Sequence, residues 1–110
     1  MKDELEHYFD RLWPICRSIS GNGLRESFDI LKEVIPLNTY EIPTGTKVFD
    51  WAIPKEWNID DAYIITPGGE KICDFKQNNL HVVNYSIPVD KEVDYDELIK
   101  HIHTLNNQPN

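Results

Sequence analysis

The groups in this 110-residue sequence that could hold a metal or move a proton are four histidines, two cysteines and an excess of carboxylates. The closest pair of ligands is His101-Ile102-His103. On a regular helix, residues two apart point about 200° away from each other, so both imidazoles could reach one ion only from an extended segment. The plainer alternative is a pair of partly protonated side chains near a helix C-terminus, where positive charge is favourable. His7 and His81 stand alone, with no third ligand at zinc-like spacing. A self-contained metalloenzyme would need His81, His101 and His103 to converge from separate elements. Asp60-Asp61 and the acidic run from Asp90 to Glu97 lack the alternating oxygen ligands, central Gly and closing Glu of a calcium loop. Cys16, in a helical pattern, and Cys73, in a strand pattern, are too few and too far apart for a disulfide framework or a cysteine zinc site, and are expected as buried thiols.

Nucleophilic chemistry is no better supported. Ser18, Ser20 and Ser86 lack a strained Gly-x-Ser-x-Gly elbow, and Cys16 lies on an apolar helical face rather than in an electropositive one. Gly21-Asn22-Gly23 precedes a helix, as a phosphate cradle would, but without the preceding strand and the Lys-Ser/Thr of a P-loop it reads as a turn joining two helices. Trp13, Trp51 and Trp57, with Tyr63 and Tyr85, could form a sugar-stacking platform. Regular alternation would instead put Phe49, Trp51 and Ile53 on one strand face and favour their burial. No catalytic, cofactor-binding or metal-binding residue is therefore assigned within the chain.

The elements that would position these side chains follow from hydrophobic period. Leu5, Tyr8, Phe9, Leu12, Cys16 and Ile19 recur at steps of three and four, one face of an amphipathic helix capped by Asp3, with a kink or restart expected at Pro14. The turn cluster 18–23 leads into Leu24, Phe28, Leu31, Val34 and Ile35, a second helical stripe with an Asn22 cap, stopped by Pro36. The two form a helical hairpin. From Tyr40 the period shortens into β-favouring runs broken by Pro43, Gly45 and Pro54. Residues 62–66 and 71–75, around Pro67-Gly68-Gly69-Glu70, predict a β-hairpin, and 81–87 a further strand. Asp94 and Glu97 stand in capping-box-like positions ahead of a helix from about Tyr95 to His103. The fold class is thus α+β: an N-terminal helical hairpin over 1–36, then over 37–110 a small, mostly antiparallel β-sheet of four to six strands with a C-terminal helix. Antiparallel order follows from the short turns between strands.

Composition narrows the partners. Nineteen acidic against eleven basic residues give a net charge of -8, the wrong sign for a nucleic-acid backbone. No apolar run reaches the roughly 18 residues of a membrane span, and the start Met1-Lys2-Asp3-Glu4 is not that of a signal peptide, so a cytoplasmic setting is expected. At this length a single domain with a modest core is the most the chain could form.

Longer strings carry a resemblance. Residues 12–26 (LWPICRSISGNGLRE), 42–51 (IPTGTKVFDW), 54–59 (PKEWNI) and 79–90 (NLHVVNYSIPVD) resemble, in order, the opening of a bacterial aminopeptidase-like family. What the resemblance implies is a much longer polypeptide. It would combine a di-zinc exopeptidase-like α/β domain with an inserted small β domain of unknown function, often with a C-terminal winged-helix-like module, in polysaccharide-biosynthesis settings. By that resemblance the zinc ligands lie in the peptidase domain downstream, so no zinc site is carried onto these residues. The expected function is a non-catalytic accessory portion of a zinc aminopeptidase-like hydrolase, whose partner is the remainder of that protein or a second copy. The alternative is an independent binding or oligomerisation module, for instance for carbohydrate.

Overall fold

The computed structural model describes residues 1–108. Helix α1 runs Lys2–Leu12 and α2 runs Asn22–Leu31. Pro14 ends the first helix instead of kinking it, and the backbone from Ser18 to Gly21 turns the chain back so that α1 and α2 pack together. The expected face beyond Pro14 is therefore not helical. The Arg11 guanidinium forks onto Glu33 at 2.6 Å through both terminal nitrogens, while Arg17 donates to the Leu12 carbonyl at 2.7 Å. Asn22 is the first helical residue and not the cap. Gly21 occupies the cap position at φ 101°, a left-handed conformation that glycine adopts without a Cβ penalty.

Four strands follow, β1 (Lys47–Val48), β2 (Trp51–Ala52), β3 (Ile64–Ile65) and β4 (Lys71–Ile72). They are antiparallel, as short turns require, but form two separate ribbons, β1-β2 and β3-β4. The registers pair Val48 with Trp51 and Ile64 with Ile72. Phe49 sits at the tip of the first ribbon with φ 54°, which breaks the alternation expected to place Phe49, Trp51 and Ile53 on one buried face. Phe49 is fully exposed and Trp51 is 53% exposed. The predicted strand at 81–87 is absent: residues 79–81 make one 3₁₀ turn, which Asn78 caps by accepting from the Leu80 amide.

Helix α3 spans Tyr95–Leu98 and tightens into a 3₁₀ turn over Ile99–His101. Asp94 caps it as expected, its carboxylate accepting from the Glu97 amide at 2.8 Å. The sum is an α+β chain with helices at both ends and antiparallel ribbons between them.

The elements are spread over 50 × 44 × 27 Å with a radius of gyration of 17.9 Å. A compact 110-residue domain would have about 13 Å. Among the described residues, Ile30 is the one hydrophobic side chain that counts as buried, while Leu5, Phe9, Trp13, Ile19, Ile87 and Val89 are more than half exposed. Apolar surface that no other element covers is the main physical fact about this fold.

Candidate functional site: a polar node around Arg25

The turn between α1 and α2 is the point at which distant parts of the chain meet. Arg25, one turn into α2, donates from Nη1 and Nη2 to the two Glu56 oxygens at 2.8 and 2.6 Å, and from Nε to Glu41 at 2.6 Å. Its Nη1 also reaches Asn22 Oδ1 at 3.0 Å. The Asn22 amide in turn donates to Asn58 Oδ1 at 2.7 Å, and Asn58 Nδ2 donates to Glu56 at 2.9 Å. Such a planar, two-pronged match is specific to a guanidinium and a carboxylate.

The electrostatics follow from this geometry. The Arg25 guanidinium, helped by the Asn58 amide, holds the Glu56 carboxyl down at about 2, and Glu56 and then Glu41 raise Arg25 above its ordinary value. Both groups stay charged across the physiological range. They are part-exposed, at 43% and 34%, so the pair acts more as a geometric clamp than as a large source of stability.

A second set of contacts ties in the 85–86 segment. Ser20 Oγ lies 2.8 Å from the Tyr85 hydroxyl and accepts from the Trp57 amide at 3.4 Å. Trp57 Nε1 donates to the Ser86 carbonyl at 3.0 Å, and its ring stacks on Tyr85 with centroids 6.0 Å apart. Tyr85 takes a left-handed φ of 64° to do so. A Cβ on Gly21 would overlap the Trp57 carbonyl, and one on Gly23 would overlap the Cys16 carbonyl, so both glycines admit a close approach of backbone.

Between the turn and residues 57–60 lies a polar cavity of about 110 Å³, bordered by Ser18, Ser20, Asn22, Trp57, Asn58 and Asp60 among others. The Ser18 hydroxyl is buried there with no hydrogen-bond partner among the described residues. The space suits a few waters.

The other residues singled out by type lie apart from this node. His101 Nε2 is 3.3 Å from Glu97, one turn before it, and His81 Nδ1 is 3.3 Å from the Asp74 carbonyl. The described residues hold no group of three or more His, Cys, Asp or Glu placed to bind a metal ion. Cys16 is half-buried, but Cys73, just past β4 with a left-handed φ of 51°, is exposed rather than buried. Of the five aromatics considered as a sugar platform, Trp57 and Tyr85 stack together, while Trp13 stacks on Phe9 and Tyr63 faces the Lys71 ammonium at 4.0 Å. Among the described residues, no helix is long and apolar enough to cross a membrane. The node itself was missed by residue-type reasoning, since Arg25, Glu41, Glu56 and Asn58 carry no motif spacing; Arg25, Glu56 and Asn58 had one signal, membership of the resembling strings, and Glu41 had none.

Comparison with known proteins places the chain. It is 54% identical over 102 residues to a Clostridium acetobutylicum protein provisionally named a polysaccharide biosynthesis protein with an aminopeptidase-like domain, covering 93% of this chain and 24% of that one. A crystal structure of a provisionally named peptidase from the same organism superposes with a TM-score of 0.89 at 52% identity, over 96% of this chain and 25% of the other. The chain thus spans about a quarter of the length of these relatives. Residues 56–110, which contribute Glu56, Trp57, Asn58, Tyr85 and Ser86 to the node, match the family described as Domain of unknown function (DUF2172), and the chain belongs to that family.

Proposed function

We propose that this chain is a non-catalytic accessory lobe of a longer aminopeptidase-like protein, in which peptide or amide hydrolysis, and the zinc that would serve it, belong to the remaining polypeptide. The observation that carries the reading is the uncovered apolar surface. A finished domain of this length buries a contiguous core, whereas here Ile30 is the one buried hydrophobic residue among those described. Two relatives of which the chain spans 24% and 25% supply a natural source of covering surface. In this reading the Arg25 node holds the two helices against the ribbon-bearing segments, so that the lobe presents one defined surface to the rest of the protein.

The test is zinc content and hydrolysis of a panel of aminoacyl chromogenic amides by the chain alone, before and after added zinc, beside the same assays on the longer protein. Turnover and stoichiometric zinc in the longer protein only are expected. Zinc-dependent turnover by residues 1–110 alone would overturn the proposal.

A further inference from the structure

Asn22 is the one asparagine in the sequence that a glycine follows. In such a pair the backbone nitrogen of the glycine can attack the side-chain amide carbon and close a succinimide ring, because no Cβ shields the approach. This reaction is one reason asparagine is a thermolabile residue.

The fold supplies the reacting groups and holds them apart. Asn22 is exposed, so water reaches its side chain. Gly23 is the second residue of α2 and precedes the first ladder bond, from the Arg25 amide to the Gly21 carbonyl at 3.3 Å, so the helix ladder does not engage its nitrogen. Ring closure needs the Asn22 side chain to swing onto that nitrogen and the 22–23 peptide to rotate out of its helical setting. Both movements are blocked at the node. Arg25 Nη1 holds Asn22 Oδ1 at 3.0 Å, and Asn58 Oδ1 holds the Asn22 amide at 2.7 Å. Gly21 and Gly23 lie so close to the Trp57 and Cys16 carbonyls that neither has room for a Cβ. Rotation of the peptide therefore requires Trp57 and Asn58 to come away from the turn first.

We infer that Asn22-Gly23 is a self-modifying site that the Arg25 node keeps shut, and that it converts when the node opens. The Gly23 nitrogen gives its proton to solvent hydroxide and bonds to Asn22 Cγ; the Cγ–Nδ2 bond breaks and the nitrogen leaves as ammonia. Water then opens the ring at either carbonyl, leaving aspartate or its β-linked isomer, isoaspartate. No oxidant or reductant is involved. An aspartate at the start of α2 suits the helix dipole and still accepts from Arg25. Isoaspartate lengthens the main chain between two glycines that have no space to give, so the turn cannot close again on Trp57 and Asn58. A transient opening is thereby recorded as a permanent one. The inference concerns the turn itself and does not depend on the accessory-lobe reading.

Peptide mapping by mass spectrometry, with fragmentation that separates aspartate from isoaspartate, tests it. Conversion of Asn22 is followed in the wild-type longer protein in mildly alkaline buffer, native and in urea. It should be at least about ten-fold slower in the native protein, as for a reaction that proceeds through a scarce open state. Glu56→Gln and the milder Arg25→Lys, each checked for folding by circular dichroism, should bring the native rate toward that of the unfolded chain. Gly45→Ala, outside the node, should leave it unchanged. Equal rates in buffer and urea would overturn the proposal. So would a native rate that the two node variants leave untouched, or that Gly45→Ala raises as much as they do.

Discussion

Arg25 and Glu56 stand 31 residues apart in sequence and meet through two hydrogen bonds of 2.8 and 2.6 Å, which join the first turn of α2 to the segment entering residues 57–60. Replacing Arg25 tests whether geometry or charge does the joining. Arg25→Ala should lower the melting temperature by a few degrees, and Arg25→Lys should recover only part of that loss, because an ammonium keeps the charge but not the fork. Thermal denaturation followed by circular dichroism reads both; full recovery with Lys would show that charge alone suffices.

The same pair predicts a pH window. Glu56 is held at about 2 by the Arg25 guanidinium first and the Asn58 amide second, against an ordinary value of 4.5. A carboxyl depressed in the folded state contributes stability that is fully present above its unfolded value and is lost as the pH falls toward its folded one. The node should therefore weaken between pH 4.5 and about 2. Glu56→Gln should flatten the acid limb of the stability profile in that window; an unchanged limb would mean that other carboxyls set it.

Glycine substitutions separate two costs at positive φ. Gly21 has φ 101° and a Cβ there would strike the Trp57 carbonyl, while Gly45 has φ 84° and open space around it. Gly45→Ala should cost about 1 kcal/mol, the backbone term alone. Gly21→Ala should cost about 2–4 kcal/mol, since the clash adds to that term and the turn or residues 57–58 must shift. Denaturant midpoints of the two variants give the comparison, and equal losses would argue against close packing of the turn on Trp57.

Ser18→Ala addresses the orphaned hydroxyl. Its oxygen is buried and without a partner among the described residues, so its removal should be neutral or stabilising by up to about 1 kcal/mol. A loss of more than that on denaturant unfolding would reveal a water in the cavity that bridges the hydroxyl to its neighbours.

The sequence by itself determined the local elements whose causes are local. The three-and-four spacing of apolar residues located α1 and α2, Asp94 located the cap of α3, and Pro67-Gly68-Gly69 located the turn of the β3-β4 ribbon. Three of the places where it erred are those where one backbone angle redirects the chain. Left-handed conformations at Phe49, Cys73 and Tyr85, none of them glycine, move side chains that period-two reasoning had placed inside a sheet. Tertiary structure alone decided the rest. Glu41, Glu56, Asn58 and Tyr85 gather on the Ser18–Arg25 region through pairings of 16 to 65 residues' separation, and no propensity or spacing encodes such pairings. The uncovered face of α1 is likewise invisible in sequence. An amphipathic pattern says that a surface is apolar, whereas whether anything covers it depends on where every other element comes to rest.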